Sequence, residues 1–305
     1  MALKRLSSIT DFYYYKKIKQ KRRKDRERYE GDPFWELRRD ILRYYKKQNV
    51  DDKELKEAIQ YIKKEGVAVF PYPFNDKYDF RDIAVYTDEE SDLKYVEHNG
   101  HNLYYPIEKS DKDIRKIHTN LLIEQDRLSP HCYLSDDFQV GSNDVVLDVG
   151  AAEGILSLSI VEKVHQLVLF EVEEQWIKAL QKTFEPWKDK VRIINKYVSD
   201  EDGAQTITID SLLDTFTTQS VFLKLDVEGA EKKALTGAQR LLTSDEYRCK
   251  ATVCTYHNQN DHMELSAQME DLGYQIETTG GYMLFVHDEN LSAPYFRRAL
   301  IRCNR

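Results

Sequence analysis

From residue 144 onward, short apolar runs alternate with segments in which apolar residues lie three or four positions apart. The runs are nearly continuous in valine, isoleucine, leucine and phenylalanine, as expected of strands buried on both faces of a parallel sheet. The intervening segments have helical spacing, for example at Leu156, Ile160 and Val164. This alternation predicts an open α/β fold with right-handed crossovers. The predicted strands cover residues 144–150, 166–173, 191–199, 221–229 and 250–257.

The first 130 residues have a different pattern, which predicts helices and a small β element. Residues 53–65 and 110–126 predict two helices, and residues 67–74 predict a short strand that ends at two prolines. The dipeptide Asn99-Gly100 between two strand-like runs is a strong signal for a hairpin turn. We therefore predict an N-terminal helical and β-hairpin extension over residues 1–130, followed by the α/β domain over residues 131–305.

Charge is distributed unevenly between the two ends of the chain. Residues 1–48 contain 16 Lys and Arg against 7 Asp and Glu, a net charge of +9, which leaves −17 on the remainder. Such a basic arm is compatible with weak contact to an anionic surface. Its acidic interruptions and the adjoining apolar residues favour a solvated helix instead. The negative body argues against nucleic acid as the partner.

Composition excludes several classes of protein. Hydrophobic residues make up 41% and charged residues 32%, so a packed core is expected rather than disorder. The four cysteines have neither zinc-site spacing nor the density of a disulfide scaffold, and no metal-ligand set is evident. No apolar run approaches the ~20 residues of a membrane helix, and the first residues lack the apolar core of a secretory signal. We expect a cytoplasmic protein, whose oligomeric state stays open.

The loop after the first predicted strand of the α/β domain has the features of a nucleotide-binding turn. Gly150 permits a tight turn, and Gly154 permits close approach of the backbone where a helix presents free N–H groups. Glu171 ends the next strand about twenty residues later, where a carboxylate can accept hydrogen bonds from both hydroxyls of a ribose. The dinucleotide pattern G-x-G-x-x-G is not met. Asp148 lies two residues before the first glycine and belongs to a different pattern, D-x-G-x-x-x-G.

Together these residues resemble the first motif of class I methyltransferases, which use S-adenosylmethionine (SAM). A second segment is more specific, because residues 223–231 read LKLDVEGAE and are followed by a leucine and a glycine. This segment resembles the hallmark of the FkbM family of SAM-dependent methyltransferases. The resemblance covers residues 140–245 and continues weakly to about residue 286. It leaves the first 130 residues unmatched.

The resemblance implies a Rossmann-like class I methyltransferase domain with a mostly parallel seven-stranded sheet. Residues 274–279, 282–286 and 297–303 are candidates for the sixth and seventh strands, and the seventh is antiparallel in this fold class. SAM is the implied cofactor. Ser199 and Asp200, at the predicted end of the third strand, are expected at the adenine edge. The full set of expected cofactor-binding residues is Asp148, Gly150, Ala151, Glu153, Gly154, Glu171, Ser199 and Asp200.

Two residues at predicted strand ends are candidates for catalysis. Asp226 ends the fourth strand and His257 the fifth, so the two side chains are expected to lie close together near the SAM methyl group. His257 is the preferred general base, with Asp226 orienting a substrate hydroxyl. In the alternative, Asp226 together with His257 or Asn258 holds a divalent cation that acidifies the hydroxyl. Glu231 is explained as an acid in the first turn of a helix, or as a partner for an arginine.

We therefore expect a SAM-dependent O-methyltransferase that acts on a hydroxyl of a sugar, a polysaccharide or glycan precursor, or a related metabolite. The family resemblance implies this acceptor class, and the 20 tyrosines are compatible with stacking on sugar rings. Two alternatives stay open. One is N-methylation of a small-molecule amine, and the other is a non-catalytic scaffold with a SAM fold that is recruited through its basic arm.

Overall fold

The computed structural model describes residues 32–305, so most of the predicted basic arm lies outside the described residues. The first described part consists of helices and one small antiparallel sheet, which confirms the predicted hairpin and helices. Its elements are α1 (Pro33–Tyr45), α2 (Lys53–Lys64), β1 (Tyr86–Thr87), β2 (Lys94–His98), β3 (His101–Tyr105) and α3 (Asp111–Glu124).

Local sequence explains where these elements begin and turn. The side chain of Asp52 accepts a hydrogen bond from the backbone N–H of Leu55 and so caps α2. The side chain of Ser110 caps α3 in the same way, by accepting a hydrogen bond from the backbone N–H of Asp113. Asn99 and Gly100 have φ angles of 52° and 83°, the left-handed conformation that a two-residue hairpin turn requires.

The strand predicted for residues 67–74 is wrong. Pro71 and Pro73 have no N–H to donate to a neighbouring strand, and a 3₁₀ helix begins at Pro73. The carbonyl of Val69 accepts a backbone hydrogen bond from Leu284, but the segment does not join a sheet.

A seven-stranded, mostly parallel sheet forms the centre of the molecule, as predicted. Its strands are β4 (Val145–Val149), β5 (Gln166–Phe170), β6 (Val191–Ile194), β9 (Ser220–Leu225), β10 (Arg248–Cys254), β11 (Gln275–Thr278) and β12 (Leu300–Asn304). Their spatial order is β11-β12-β10-β9-β4-β5-β6, and β12 alone runs antiparallel to its neighbours. Residues 275–278 are the sixth strand of the fold and residues 300–304 the seventh, whereas residues 282–286 make only an isolated bridge at Met283.

Helices connect the strands and cover the two faces of the sheet. The predicted helix after β9 is broken at Gly237, where the backbone lies so close to the carbonyl oxygen of Ser199 that a Cβ atom would stand 1.9 Å from it. The helices of this part are α4 (Ile155–Ile160), α5 (Glu174–Thr183), α6 (Glu231–Thr236), α7 (Gln239–Thr243) and α8 (Asp261–Asp271). None of the described helices has the length and apolar composition needed to cross a membrane.

The third predicted strand, residues 191–199, is in fact two strands. β6 ends at Ile194, and after the polar residues Asn195 and Lys196 the chain forms β7 (Tyr197–Val198), which pairs with β8 (Thr206–Ile207) in a separate sheet. The predicted position of Ser199 and Asp200 at the end of the third strand is therefore wrong. Both residues lie beside the end of α6, next to Gly237.

Residues before and after position 130 share one hydrophobic core. Ile41, Ile62 and Tyr105 belong to the same buried cluster as Leu158 and Leu169 of the sheet region. The division into an extension and a domain at this position stays a prediction.

Polar contacts also join the first helices to the last part of the chain. Asp52, the N-cap of α2, accepts a hydrogen bond from the Tyr282 hydroxyl at 3.0 Å. The same carboxylate pairs with Arg298 at 3.1 Å.

Candidate active site at the strand ends

The loop after β4 is built around two glycines in the left-handed conformation. Gly150 has a φ of +79°, and a Cβ atom there would lie 1.9 Å from the carbonyl oxygen of Asp226 at the end of the neighbouring strand. Gly154 has a φ of +76° and packs so closely on Leu180 that a Cβ atom would come within 2.7 Å of it. Only glycine satisfies both requirements at these positions.

A buried ion pair lies directly beneath this loop. Asp148 Oδ1 is 3.1 Å from Lys224 Nζ, and Asp148 Oδ2 accepts a hydrogen bond from Ser157 at 2.7 Å. Lys224 Nζ also donates to the carbonyl oxygen of Gly150 at 2.6 Å. Burial disfavours the ammonium, but the charges of Asp148 and Asp226 outweigh it and raise the pKa of Lys224. Asp148 is thus linked to the loop indirectly, because it pairs with Lys224 and Lys224 donates to the carbonyl oxygen of Gly150.

The other side of the loop faces Glu171 at the end of β5. Its Oε2 accepts a hydrogen bond from the N–H of Ala152 at 2.9 Å, and its Oε1 accepts from Val172 and Glu173. Each carboxylate oxygen has two lone pairs, so Oε2 retains acceptor capacity for a ligand hydroxyl. A role of Glu171 in binding ribose hydroxyls stays a prediction.

Two further loop residues predicted to contact the cofactor have unlike surroundings. The N–H of Ala151 donates to the carbonyl of Phe170, which joins the loop to β5. Burial raises the pKa of Glu153 from its ordinary value. Glu153 therefore keeps its proton to a higher pH than an ordinary glutamate does.

Asp226 follows β9 and is the centre of a cluster of aromatic and imidazole side chains. Its carboxylate accepts hydrogen bonds from the hydroxyls of Tyr133 at 2.7 Å and Tyr256 at 3.0 Å. Burial opposes ionisation, but the charges of Lys224, His131 and His257 hold the pKa of Asp226 well below its usual range. The side chain is 19% exposed, so an ionised carboxylate is presented to a ligand.

His257 lies beside Asp226, as predicted from the strand order. Its Nε2 is 3.6 Å from Asp226 Oδ1 and 3.7 Å from Glu228 Oε2, while its Nδ1 is 2.8 Å from Glu231 Oε1. Burial lowers the pKa of this imidazole, but the contact with Glu231 and the charge of Asp226 outweigh it, and the pKa is raised overall. Nε2 makes no hydrogen bond to another described residue, whereas Nδ1 has the short ion-pair contact with Glu231.

Several residues of this cluster were not among the predicted site residues, although the polar density of residues 124–126 and 129–133 indicates either contact with the cofactor or acceptor or capping of the preceding helix. Tyr133 is 93 positions from the carboxylate that it contacts, and His131 lies 3.8 Å from the same carboxylate. Glu124 is also close, and burial together with the charge of Asp226 raises the pKa of Glu124 to about 8. Lys224 did carry a signal, since a lysine inside an apolar run requires a buried counter-charge.

Two sets of side chains are close enough to hold one metal ion, and both include Asp226. The ligand atoms of each set lie within 4.8 Å of one another. These contacts are also explained by the hydrogen bonds and ion pairs described above, so a divalent cation stays a prediction. The sets are His131, Asp226 and Cys254, and Asp226, Glu231 and His257.

A large cavity of about 910 Å³ lies elsewhere, between the first helices and the segment that follows α3. Tyr72, Arg127 and Lys163 are among its lining residues, but Asp226 and Glu171 are not. The segment from His131 to Leu134 separates the two regions. His131 and Tyr133 contact Asp226, whereas Cys132 and Leu134 face the cavity.

Comparison with known proteins identifies the domain. The model of the methyltransferase FkbM domain matches residues 84–276, which is more than half of the chain and includes the hairpin and α3. The match therefore begins before the segment that resembles the family in sequence. No curated protein matches the chain.

The solved structures to which this chain is similar include two methyltransferases. Methyltransferase FkbM from Methylobacillus flagellatus KT has 18% sequence identity and a TM-score of 0.43, over 63% of this chain and 53% of that protein. Precorrin-6y C5,15-methyltransferase from Geobacter metallireducens has 14% identity and a TM-score of 0.35, over 54% of this chain and 80% of that protein. The chain thus spans about half the length of the first of these relatives.

Proposed function

The chain belongs to the FkbM family of SAM-dependent methyltransferases, and on this premise we propose that it methylates a hydroxyl oxygen of a sugar, glycan precursor or related metabolite. One observation carries the proposal. The ionised carboxylate of Asp226 stands at the end of β9, and His257 Nε2 lies 3.6 Å from it without a hydrogen-bond partner among the described residues. An acceptor hydroxyl between these groups would find both an orienting carboxylate and a base.

The residues around the loop fit SAM. Gly150 and Gly154 give the loop its left-handed turns and its close packing on the protein, and Glu171 offers acceptor capacity for ribose hydroxyls. SAM supplies the electrophilic methyl group of its sulfonium when it is bound. The carboxylate of Asp226, whose pKa lies well below its usual range, favours a cationic ligand.

Asp226 and His257 have distinct tasks in this proposal. Asp226 accepts a hydrogen bond from the acceptor hydroxyl and fixes its direction, since its own carboxylate is already held by Tyr133 and Tyr256. Nε2 of neutral His257 takes the hydroxyl proton as the oxygen attacks. Because the pKa of His257 is raised, the neutral base becomes more abundant as the pH rises through that pKa. We therefore expect turnover to increase with pH in this range.

The composition of the site supports a polyhydroxylated acceptor. The rings of Tyr256 and His257 pack against Phe285 with centroid separations of 5.0 Å and 5.6 Å. Aromatic faces beside hydrogen-bonding carboxylates suit a sugar ring, which has both apolar C–H faces and hydroxyl edges. A neutral amine, by contrast, is nucleophilic without a base, so the pairing of Asp226 and His257 favours oxygen.

The test uses the full chain with SAM carrying a tritiated methyl group. Candidate acceptors are methyl glycosides of common hexoses and deoxyhexoses, with the matching amino sugars as the comparison. We expect label in a glycoside, with the new methyl group on oxygen by NMR. Label confined to the amino sugars would overturn O-methylation. Absence of SAM binding in calorimetry, with folded protein, would favour a scaffold.

A further inference from the structure

Glu231 is the most buried carboxylate near the proposed site, and its surroundings are unusual. The first residue of α6 has a side chain that is only 1% exposed, with Oε1 2.8 Å from His257 Nδ1. The contact lies on the side of the imidazole opposite to Nε2, which faces Asp226. No arginine contacts Glu231 among the described residues, so the partner expected from the sequence is replaced by a histidine.

A purely structural role explains part of this arrangement. Glu231 Oε1 also accepts a hydrogen bond from the N–H of Val227 at 3.0 Å, which closes the turn between β9 and α6. A carboxylate at the start of a helix also favours the positive end of the helix dipole. Neither effect requires the carboxylate to be buried, and neither requires an imidazole beside it. Burial of a charge is costly unless a partner compensates it.

We propose that Glu231 is a positioning residue that acts through His257, and this inference rests on the proposed function. Glu231 holds Nδ1 as the protonated nitrogen and so leaves the lone pair of Nε2 directed at the acceptor hydroxyl. The same carboxylate stabilises the imidazolium that forms when Nε2 takes the proton. The logic is that of a carboxylate–histidine pair acting on a hydroxyl nucleophile, here one supplied by the substrate.

The step moves one proton to His257 and one methyl group to the acceptor oxygen. The acceptor O–H bond breaks and its proton moves to Nε2. The oxygen pair forms the bond to the methyl carbon, and the C–S pair stays on sulfur. The imidazolium later returns its proton to solvent. Glu231 remains ionised throughout.

Other charged groups also lie near His257 and contribute to its pKa. Asp226 and Glu228 approach Nε2, Asp261 of α8 is near enough to interact, and His131 lies on the far side of Asp226. Glu228 is 87% exposed, so solvent screens its charge. It therefore provides a matched control for removal of the buried charge of Glu231.

The first experiment needs no acceptor. In the full chain with ¹³C-labelled histidine, NMR follows the titration of His257, assigned by its loss in His257→Gln. Glu231→Gln keeps an oxygen for the Val227 N–H but removes the charge. We expect the pKa of His257 to fall by about one unit or more in Glu231→Gln. We expect a smaller change in Glu228→Gln and partial recovery in Glu231→Asp.

The second experiment measures turnover with a methyl glycoside that the wild-type protein accepts. Glu231→Gln is expected to lower kcat about 100-fold or more, because general base catalysis contributes on that scale. The KM and the affinity for SAM are expected to stay within about threefold, and the acid limb of the pH profile is expected to move to lower pH. Circular dichroism and the unfolding midpoint show whether each variant is folded.

The outcomes separate this inference from the proposed function. An unchanged His257 titration, or an unchanged pH profile in folded Glu231→Gln, would overturn the positioning role while leaving O-methylation intact. If wild-type protein methylates no glycoside, the proposed function fails. The NMR titration still decides whether Glu231 controls His257. If Glu231→Gln does not fold, Glu231→Asp carries the test, since any fall in the pKa of His257 there supports the inference and an unchanged pKa contradicts it.

Discussion

Asp148 and Asp226 lie at the ends of neighbouring parallel strands, and both are close enough to Lys224 to raise its pKa, yet they serve different purposes. Asp148 is 2% exposed and pairs with Lys224 and Ser157 beneath the loop. Asp226 is 19% exposed and is held by two tyrosine hydroxyls beside two histidines. Identical side chains on adjacent strands thus differ in their surroundings, because one is enclosed by its counter-charge and the other is partly exposed.

The largest effect is expected where the shared cation is removed. Lys224→Met leaves Asp148 buried without its partner, so the free energy of unfolding should fall by about 3–5 kcal/mol. Urea denaturation measures this. The control is Lys232→Met, which removes an exposed lysine that pairs with Glu264 at 3.4 Å, and a loss below about 1 kcal/mol is expected there. Equal losses of unfolding free energy in the two variants would show that the buried ion pair stabilises the protein no more than the exposed one.

The next prediction contrasts the two aspartates directly. Asp226→Asn is expected to lower turnover by about 100-fold to 1000-fold, since the acceptor hydroxyl loses its charged partner. Asp148→Asn is expected to reduce stability by about 3 kcal/mol instead, because Lys224 stays buried without compensation. Kinetics with an accepted glycoside and urea denaturation are measured on both proteins. An equal loss of stability in Asp226→Asn and Asp148→Asn would contradict the proposed difference between the two aspartates.

A third carboxylate, Glu171, sharpens the comparison on the cofactor side. Glu171→Gln keeps one oxygen for the backbone N–H groups but removes the charge offered to ribose hydroxyls. Affinity for SAM should weaken about 10-fold to 100-fold, as expected for loss of a charge-assisted hydrogen bond. Calorimetric titration tests this, with Glu173→Gln as the matched neighbour. Unchanged affinity in Glu171→Gln would remove Glu171 from the ribose site.

The smallest effect concerns Glu124, whose pKa burial and the charge of Asp226 raise to about 8. Between the ordinary pKa of about 4.5 and about 8, the folded protein retains a proton that the unfolded chain releases. Stability from this group is therefore lost as the pH rises through that window. In Glu124→Gln the decline of unfolding free energy from pH 5 to pH 8 should be smaller by about 1 kcal/mol or more. Glu108→Gln, at an exposed glutamate, serves as the control, and identical pH dependence in both variants would contradict the prediction.

The sequence was most informative where local chemistry decides structure. Continuous apolar runs predict five strands of the sheet, and the pattern D-x-G-x-x-x-G indicates Gly150 and Gly154, which do adopt left-handed conformations. The order of strands in this fold class then placed Asp226 next to His257. Each of these inferences depends on residues that are neighbours in sequence or on a topology shared by many proteins.

The sequence was least informative where distant residues meet or where polar residues divide a run. Tyr133 reaches Asp226 across 93 positions, and no periodic pattern encodes that contact. The run that contains Ser199 was read as one strand, but Asn195 and Lys196 redirect the chain so that β7 pairs with β8. Glu231 was assigned from its position in a helix, which says nothing of the imidazole that tertiary packing brings to it.

The attachment of Asp52 to Tyr282 and Arg298 has a consequence for the order of folding. The partners of this residue are 230 and 246 positions away, so α2 cannot complete its packing until most of the chain has left the ribosome. Contacts of such long sequence separation require closure of a very large loop and slow the search for the native state. The first described helices therefore wait for partners that are synthesised 230 and 246 residues later.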